Sequence, residues 1–326
     1  MAKPKKMSAA AMKKLQGAFG KENVANLNEG PSIVIERIPS GSLDLDRILG
    51  GGWPKGRISE LYSESSGGKS SLASTAISQV QKLGEVAAMV DMEASYDPDY
   101  GESLGVDNDA LIYSAPDSGE EALDIVEALA LTGEVSLIVL DSSNACITKA
   151  ELEGEMADNS IAAQARMFAK AMRKLVQACK KHGTALIIIS QVKMKITGFG
   201  DPRSIGIGRS IYYADSIRLE ILADKPLEKG GLPYGHKMRF LTVKNKTFRP
   251  KLRGAAFFEY YKGFCNFTEV LDLAVDLGIA EKKGAWFAYS GTNIGQGIEK
   301  SAAILKDNPE LYEELHEKVL EGLKQQ

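Results

Sequence analysis

The chain has 326 residues, 44% of them hydrophobic and 25% charged, with a formal net charge of −3. That length supports one large core with one or two small modules. No stretch approaches the ~18 consecutive apolar residues of a membrane span, and the charge balance argues against a globally basic nucleic-acid binder while leaving room for a local basic track.

In chain order, "MAKPKKMSAAAMKKLQGAF" is basic, but no continuous apolar region or cleavage site follows, so it does not read as a secretory signal. Residues 8–19 predict a short helix with Ala9, Met12, Leu15 and Phe19 near one face. The polar stretch 20–31 separates this arm from the body. From Gly50 the texture is α/β. "GRISELYS" predicts a strand anchored by Ile58 and Leu61, then a loop over 63–68 and a helix over 69–82. "EVAAMVDME" and "ALIYSAP" predict further strands, and Ser118 opens a helix over 119–132. "VSLIVLDSS" is the most hydrophobic strand and ends at Asp141. A long helix over 160–181 leads to "GTALIIISQ", a central strand ending at Gln191. Strands alternating with helices predict a mostly parallel sheet covered on both faces.

Residues 193–209, "KMKITGFGDPRSIGIGR", are rich in glycine and predict a mobile loop, not a core element. "SIRLEIL", "HKMRFLTVKNKT" and "GAAFFEYYKG" predict a hairpin-rich extension. A small module begins near Phe264. Asn266 and Glu269 have capping-box spacing, and Gly278 can close that helix. Pro309 opens a last helix with Leu311, Leu315, Val319 and Leu323 on one face. The expected modules are an arm and linker over 1–31, a core over 32–263 and a small domain over 264–326. Cys146, Cys179 and Cys265 show no paired or metal-like spacing, which suits a reducing cytosol, and His182, His236 and His316 are too scattered for a metal cluster.

The chemistry concentrates around "LYSESSGGKSS", residues 61–71. The phosphate-loop pattern G-x-x-x-x-G-K-[ST] finds Gly68, Lys69 and Ser70 in place, but Ser63 stands where the first glycine belongs. In such a loop, backbone N–H groups and a helix N-terminus surround a β-phosphate. Lys69 would reach the β- and γ-phosphates, and Ser70 would offer a hydroxyl to Mg²⁺. Gly67 and Gly68 would permit close approach, and Ser65, Ser66 and Ser71 complete the cradle. If position 63 needs a positive φ, serine there costs roughly 1 kcal/mol or more. A plain Gly/Ser turn is the alternative on the loop alone.

Three other strand ends fit the same site. Asp141 is placed to support Mg²⁺ through water. Glu93 is placed to polarise a water attacking the γ-phosphate, and Gln191 to sense that phosphate. Beyond Gln191, Lys193, Lys195, Arg203 and Arg209 offer phosphate contacts, while Met194, Ile196, Phe199 and Ile205 offer apolar contacts to bases. A surface lid is the alternative for this segment.

These residues are joined by "SGSLDLDRILGGGWPKGRISELY", "MEASYDPDY", "VLDSSNACITKAELEGE", "ISQVKMKI", "VKNK" and "AEKKGAWFAYSGTNIGQG". With them the chain closely resembles the bacterial RecA recombinase family from about Ser32 to Leu323. The resemblance implies a RecA-like P-loop ATPase core with a mostly parallel central sheet, an N-terminal polymerisation helix and a small α+β C-terminal domain. It implies a cytoplasmic protein that forms a helical filament on single-stranded DNA. ATP and Mg²⁺ would sit between protomers, and the strand would be paired and exchanged with homologous double-stranded DNA, with hydrolysis dependent on DNA. It assigns adenine stacking to Tyr100, water activation to Glu93, the second acidic motif to Asp141 and the γ-phosphate switch to Gln191. Lys244 and Lys246 would reach a neighbour's nucleotide. Residues 154–162 resemble the first DNA loop, with Ile161 at its base-inserting position and Arg166 and Arg173 near the DNA path. Residues 193–209 resemble the second.

The departures are concentrated at the site. The family loop reads G-P-E-S-S-G-K-[ST], so Ser63 and Glu64 replace Gly-Pro, Ser65 replaces Glu and Gly67 replaces Ser. Ala94 and Ser190 replace a histidine and an asparagine. This drift reads as a divergent member, of the kind a phage encodes. Two functions are then in play: an ATP-dependent strand-exchange enzyme, or a DNA-binding filament with impaired or absent hydrolysis. Retention of Glu93, Gln191 and both lysines favours the first.

Overall fold

The computed structural model describes residues 6–21, 24–25, 34–64, 66–154, 161–194, 203–205 and 209–324. The N-terminal unit, residues 1–36, holds helix α1 (Ala9–Phe19). The Ser8 hydroxyl caps it by accepting from the Ala11 N–H, and Gly20 closes it. Gln16 Nε2 donates to the Val24 carbonyl at 3.0 Å.

The body runs from Arg37 to the C-terminus. Strands β1 (Arg37–Ile38) and β2 (Trp53–Pro54) form a small ribbon around α2 (Leu43–Leu49). Next come β3 (Ile58–Ser63), α3 (Lys69–Lys82), β4 (Val86–Asp91), α4 (Pro98–Ser103), β5 (Ile112–Ser114), α5 (Gly119–Thr132) and β6 (Val135–Asp141). A 3₁₀ turn at Ser143–Ala145 precedes α6 (Lys149–Glu153), α7 (Ile161–His182), β7 (Ala185–Met194), β8 (Arg203–Ile205) and α8 (Ser210–Ala214). The strands β9 (Ile217–Lys229), β10 (Leu232–Asn245), β11 (Arg253–Glu259) and β12 (Gly263–Phe264) finish the sheet. Its order is β12-β11-β10-β9-β3-β7-β6-β4-β5. From β9 to β5 every pairing is parallel. Hairpins add β10, β11 and β12 antiparallel at one side.

Side-chain alternation explains why this sheet needs two covers. Leu61, Leu137, Val139 and Ile187 point to the face that packs α3 through Leu72, Ala76 and Val80. Val90, Ile138, Leu140 and Ile188 point to the other, packed by Val126 of α5 and by Phe168, Met172 and Leu175 of α7. Helices α3 and α5 follow the bounds expected from the sequence, with the Ser118 hydroxyl capping α5 at the Glu121 N–H.

Two expectations are corrected. Strand β7 does not stop at Gln191. Its parallel partners end there, but it continues to Met194 by pairing antiparallel with β8: Val192 opposite Ile205, Lys193 opposite Ser204, Met194 opposite Arg203. The segment expected as loop therefore has a strand-paired base. Ladder hydrogen bonds at 192–194 and 203–205 replace those lost where β3 and β6 end.

The second correction concerns the small domain. It comprises α9 (Asn266–Asp276), the sheet β13 (Glu281–Lys283), β14 (Trp286–Tyr289) and β15 (Thr292–Gln296), then α10 (Ile298–Asp307) and α11 (Pro309–Lys324). These elements share a core of Leu271, Phe287, Leu305, Leu315 and Val319. Glu269 does not form a capping box, because the cap position is Cys265 and carries no side-chain bond. Its carboxylate instead reaches the start of α2, accepting from the Ser42 hydroxyl and, at 3.0 Å, from the Leu43 N–H. It thus fastens α9 to the core sheet's flanking helix.

Burial pushes the Glu269 carboxyl up to about 8, against the opposing pull of these two bonds. A folded-state value above the unfolded one means that the native state holds the proton more tightly. The associated stability is full below the unfolded value and is lost as pH rises through about 8. Glu269→Gln, which stays neutral, should melt with the parent at acid pH and at a progressively higher relative temperature toward pH 8. Thermal denaturation across that range checks it, and a pH-independent difference would contradict it.

Candidate nucleotide site and DNA-facing segments

The parallel register gathers the predicted residues at one sheet edge. Ser63 stands opposite Gln191 and Asp91 opposite Asp141. Past Ser63 the chain turns through Ser66, at φ +59°, and Gly68, at φ +84°, into α3. Gly68 occupies the cap position and no side chain caps the helix, so the first N–H groups of α3 stay available to an anion. The positive φ falls at 66 and 68. Ser63 is the last residue of β3, buried and extended, and needs no such strain. Glu64 is exposed. Ser65 lies outside the described residues.

Lys69 is 8% exposed. Its ammonium bends back over the loop and donates to Ser63 Oγ at 3.0 Å and to the Glu64 carbonyl at 2.9 Å. Burial holds its pKa below the usual lysine value, with Asp141 and Glu93 pulling the other way. Ser70 Oγ donates to Asp141 Oδ2 at 2.7 Å. Burial raises the Asp141 carboxyl to about 6, opposed by Ser70 and by Lys69 and reinforced by Glu93 and Asp91. A hydroxyl and a carboxylate in contact at a phosphate loop form the hard-oxygen pair that suits Mg²⁺.

Glu93 is exposed, and its Oε1 accepts from Gln191 Nε2 at 2.9 Å and from the Ser142 hydroxyl. The expected water activator and phosphate sensor therefore touch. Two residues that hold them were not singled out from the sequence. Asp91, buried, accepts from the N–H groups of Glu93, Ser95 and Tyr96 and so shapes the turn that presents Glu93. Asn144 Oδ1 accepts from the Gln191 N–H at 2.7 Å. Strand-terminal Asp91, directly beneath Glu93 in "VDME", was the available signal.

At the other end of the cradle, Tyr100 OH lies 2.9 Å from Ser71 Oγ. Tyr261, at φ +60°, packs edge-on against Tyr100 at 5.1 Å. Tyr261 had no sequence signal, because it comes from beyond β11 and meets Tyr100 only through the fold.

Lys244 and Lys246 are not part of this cluster. β10 passes the loop at His236 and Met238, both next to Gly68. Lys246 lies eight residues beyond Met238, about 26 Å at ~3.3 Å per strand residue. At that far end Lys244 contacts Asp215 Oδ1 at 2.5 Å and the Tyr212 carbonyl, and lies over the Tyr212 ring. Lys246 donates to the Tyr213 carbonyl at 3.2 Å. Between the two ends runs a buried chain. Ser143 Oγ contacts Ser190 Oγ at 2.9 Å, Ser190 Oγ donates to Glu60 Oε1 at 2.8 Å, and Arg218 Nε lies 2.9 Å from Glu60 Oε2 in a charge contact without hydrogen-bond alignment.

Of the residues expected to face DNA, Ile161 opens α7, and Arg166 and Arg173 are exposed along it. Lys193 and Arg203 lie on the β7–β8 pair, and Arg209 is exposed before α8. Lys195, Phe199 and residues 155–160 lie outside the described residues. No helix among the described residues is long and apolar enough to cross a membrane.

A doubly covered, mostly parallel sheet with a lysine-bearing loop at the edge where its strands end is the core of a phosphate-loop ATPase. Comparison with known sequences narrows this. The profile for the RecA N-terminal domain matches residues 6–265, and that for the RecA C-terminal domain matches 268–324. A curated "Protein RecA" of Mesomycoplasma hyopneumoniae (strain 7448) is 41% identical over 323 residues, 98% of this chain and 96% of that protein. One of Thermus aquaticus is 44% identical over 315 residues, 95% and 92% respectively. The chain belongs to the RecA family.

The buried chain yields a stability test. Arg218→Ala removes the nearest counter-charge of Glu60, 2% exposed, and should destabilise by about 3 kcal/mol. The double variant Glu60→Gln/Arg218→Met should lose clearly less. Urea unfolding of both variants checks this, and equal losses would contradict it.

Proposed function

We propose that the protein is an ATP-dependent DNA recombinase of homologous recombination and DNA repair. It assembles as a helical filament on single-stranded DNA, pairs that strand with homologous duplex and exchanges strands. Membership of the RecA family supports the recombinase and its DNA-dependent ATPase directly. The roles of individual residues are our reading of the geometry.

In that reading the N–H groups at Ser66–Ser71 cradle the phosphates, and Lys69 reaches the β- and γ-phosphates. Ser70 and Asp141 hold Mg²⁺. Glu93 polarises the attacking water, while Gln191, whose amide donates to Glu93, exchanges that partner for the γ-phosphate. Because Gln191 continues into the β7–β8 pair, its movement is passed to the DNA segment 193–209. Tyr100 and Tyr261 flank the base. The DNA track combines Ile161, Arg166, Arg173, Lys193, Lys195, Phe199, Arg203 and Arg209. The arm carrying α1 docks on a neighbouring protomer, and residues 264–326 form the duplex-gathering lobe of a cytoplasmic protein.

The observation that carries the assembly reading is the distance along β10. Lys244 and Lys246 are too far from their own loop to act there, so they serve the nucleotide of the next protomer, and hydrolysis depends on assembly. The contact of Glu93 with Gln191 and the exposed position of Glu64 give no support to a non-hydrolysing filament.

ATP hydrolysis with and without single-stranded DNA tests this. The rate should rise on DNA. It should fall by about 10²–10⁴-fold in Glu93→Gln and be lost in Lys69→Ala. A rate unaffected by DNA and equal in both variants would refute it.

A further inference from the structure

We propose that Ser63 and Gly67 form one sterically coupled pair that sets the shape of the phosphate loop. This deepens the phosphate-loop reading above and rests on it.

Gly67 is not a conformational glycine. Its φ is not positive, so any residue could adopt its backbone. It is buried, however, and a Cβ added there would lie 2.7 Å from Ser63 Cβ and overlap Ser63 Oγ outright. Rotating the Ser63 hydroxyl away would not make room, because its Cβ is fixed by the end of β3. The next neighbour, the Glu64 carbonyl oxygen at 3.3 Å, is tolerable by comparison. The glycine at 67 is therefore required by the serine at 63. Read against the loop pattern G-P-E-S-S-G-K-[ST], where these two positions carry glycine and serine, the two departures are a single exchange. The small residue and the hydroxymethyl group have changed places across the same gap.

The exchange also places a new acceptor. Ser63 Oγ donates to the Glu64 carbonyl at 2.6 Å and accepts from Lys69 Nζ at 3.0 Å. The ammonium is thus held over the loop by a side chain as well as by a carbonyl. The loop keeps its volume and gains a side-chain partner for its cation.

The test is the binding of ADP with Mg²⁺, followed by calorimetry, to the full chain and to Gly67→Ser, Ser63→Gly, the double variant and Lys69→Ala, with a thermal melt of each. Gly67→Ser alone should weaken ADP binding at least tenfold. Ser63→Gly should weaken it less, and the double variant should return to within about threefold of the parent. If Gly67→Ser fails to fold, the comparison of Ser63→Gly with the double variant still decides. Adding the serine to that background should not weaken binding, and a further tenfold loss would overturn the pairing. Parent-like binding by Gly67→Ser, or a double variant as poor as Gly67→Ser, would overturn it too. Unchanged binding in Lys69→Ala would instead remove the phosphate-loop reading on which the proposal stands.

Discussion

Everything in this molecule that bears on nucleotide chemistry depends on the in-register parallel pairing of β3, β7, β6 and β4. Parallel strands all end on one edge. Their register decides which side chains meet there: Ser63 beside Gln191, and Asp141 beside Asp91. A slip of one residue would turn each of these to the opposite face of the sheet. The apolar runs hold the register, because Leu137, Val139 and Ile187 must face α3 while Ile138, Leu140 and Ile188 face α5 and α7. Core packing on two faces is thus what aligns a chemical site at the edge.

The same sheet sends its antiparallel extension the other way. β10 touches the loop at His236 and Met238 and carries Lys244 and Lys246 to the far end. In the proposed filament each protomer would hold both halves of a nucleotide site, at opposite ends. A buried run lies between them: Ser143 after β6, Ser190 on β7 and Glu60 on β3, then Arg218 on β9, opposite Lys244 in the ladder. Burial raises the Glu60 carboxyl, opposed first by Arg218. Such a pair is a strict geometric constraint, because either charge left alone is costly. In the proposed filament that would make it a rigid link between the phosphate-loop edge and the end that carries Lys244 and Lys246.

Much of this was legible in the sequence, for identifiable reasons. The strands "VSLIVLD" and "GTALIIISQ" have the long apolar runs of strands covered on both faces, and α3 and α5 are bounded by glycine and serine signals. Lys69 and Ser70 follow from the phosphate-loop pattern, and Glu93, Asp141 and Gln191 from the polar residues that close the apolar strand runs. What stayed hidden required partners distant in sequence. Glu269 looked like a capping residue because its true partners, Ser42 and Leu43, lie more than 200 residues away. Tyr261 meets Tyr100 only across the sheet. The end of β7 was placed too early because its pairing changes from parallel to antiparallel at Gln191, and a glycine-rich sequence gave no sign of a new strand partner. Ser63 replaces the pattern's first glycine without strain because the positive φ values fall at Ser66 and Gly68.

The central claim is that this site drives exchange of DNA strands. The most direct measurement mixes circular single-stranded DNA with a homologous linear duplex, ATP and Mg²⁺, and follows joint molecules and nicked circles by gel electrophoresis. Both products should form with the parent chain and neither when the duplex is unrelated in sequence. DNA-bound filaments that turn over ATP yet form no joint molecules with a homologous duplex would contradict it.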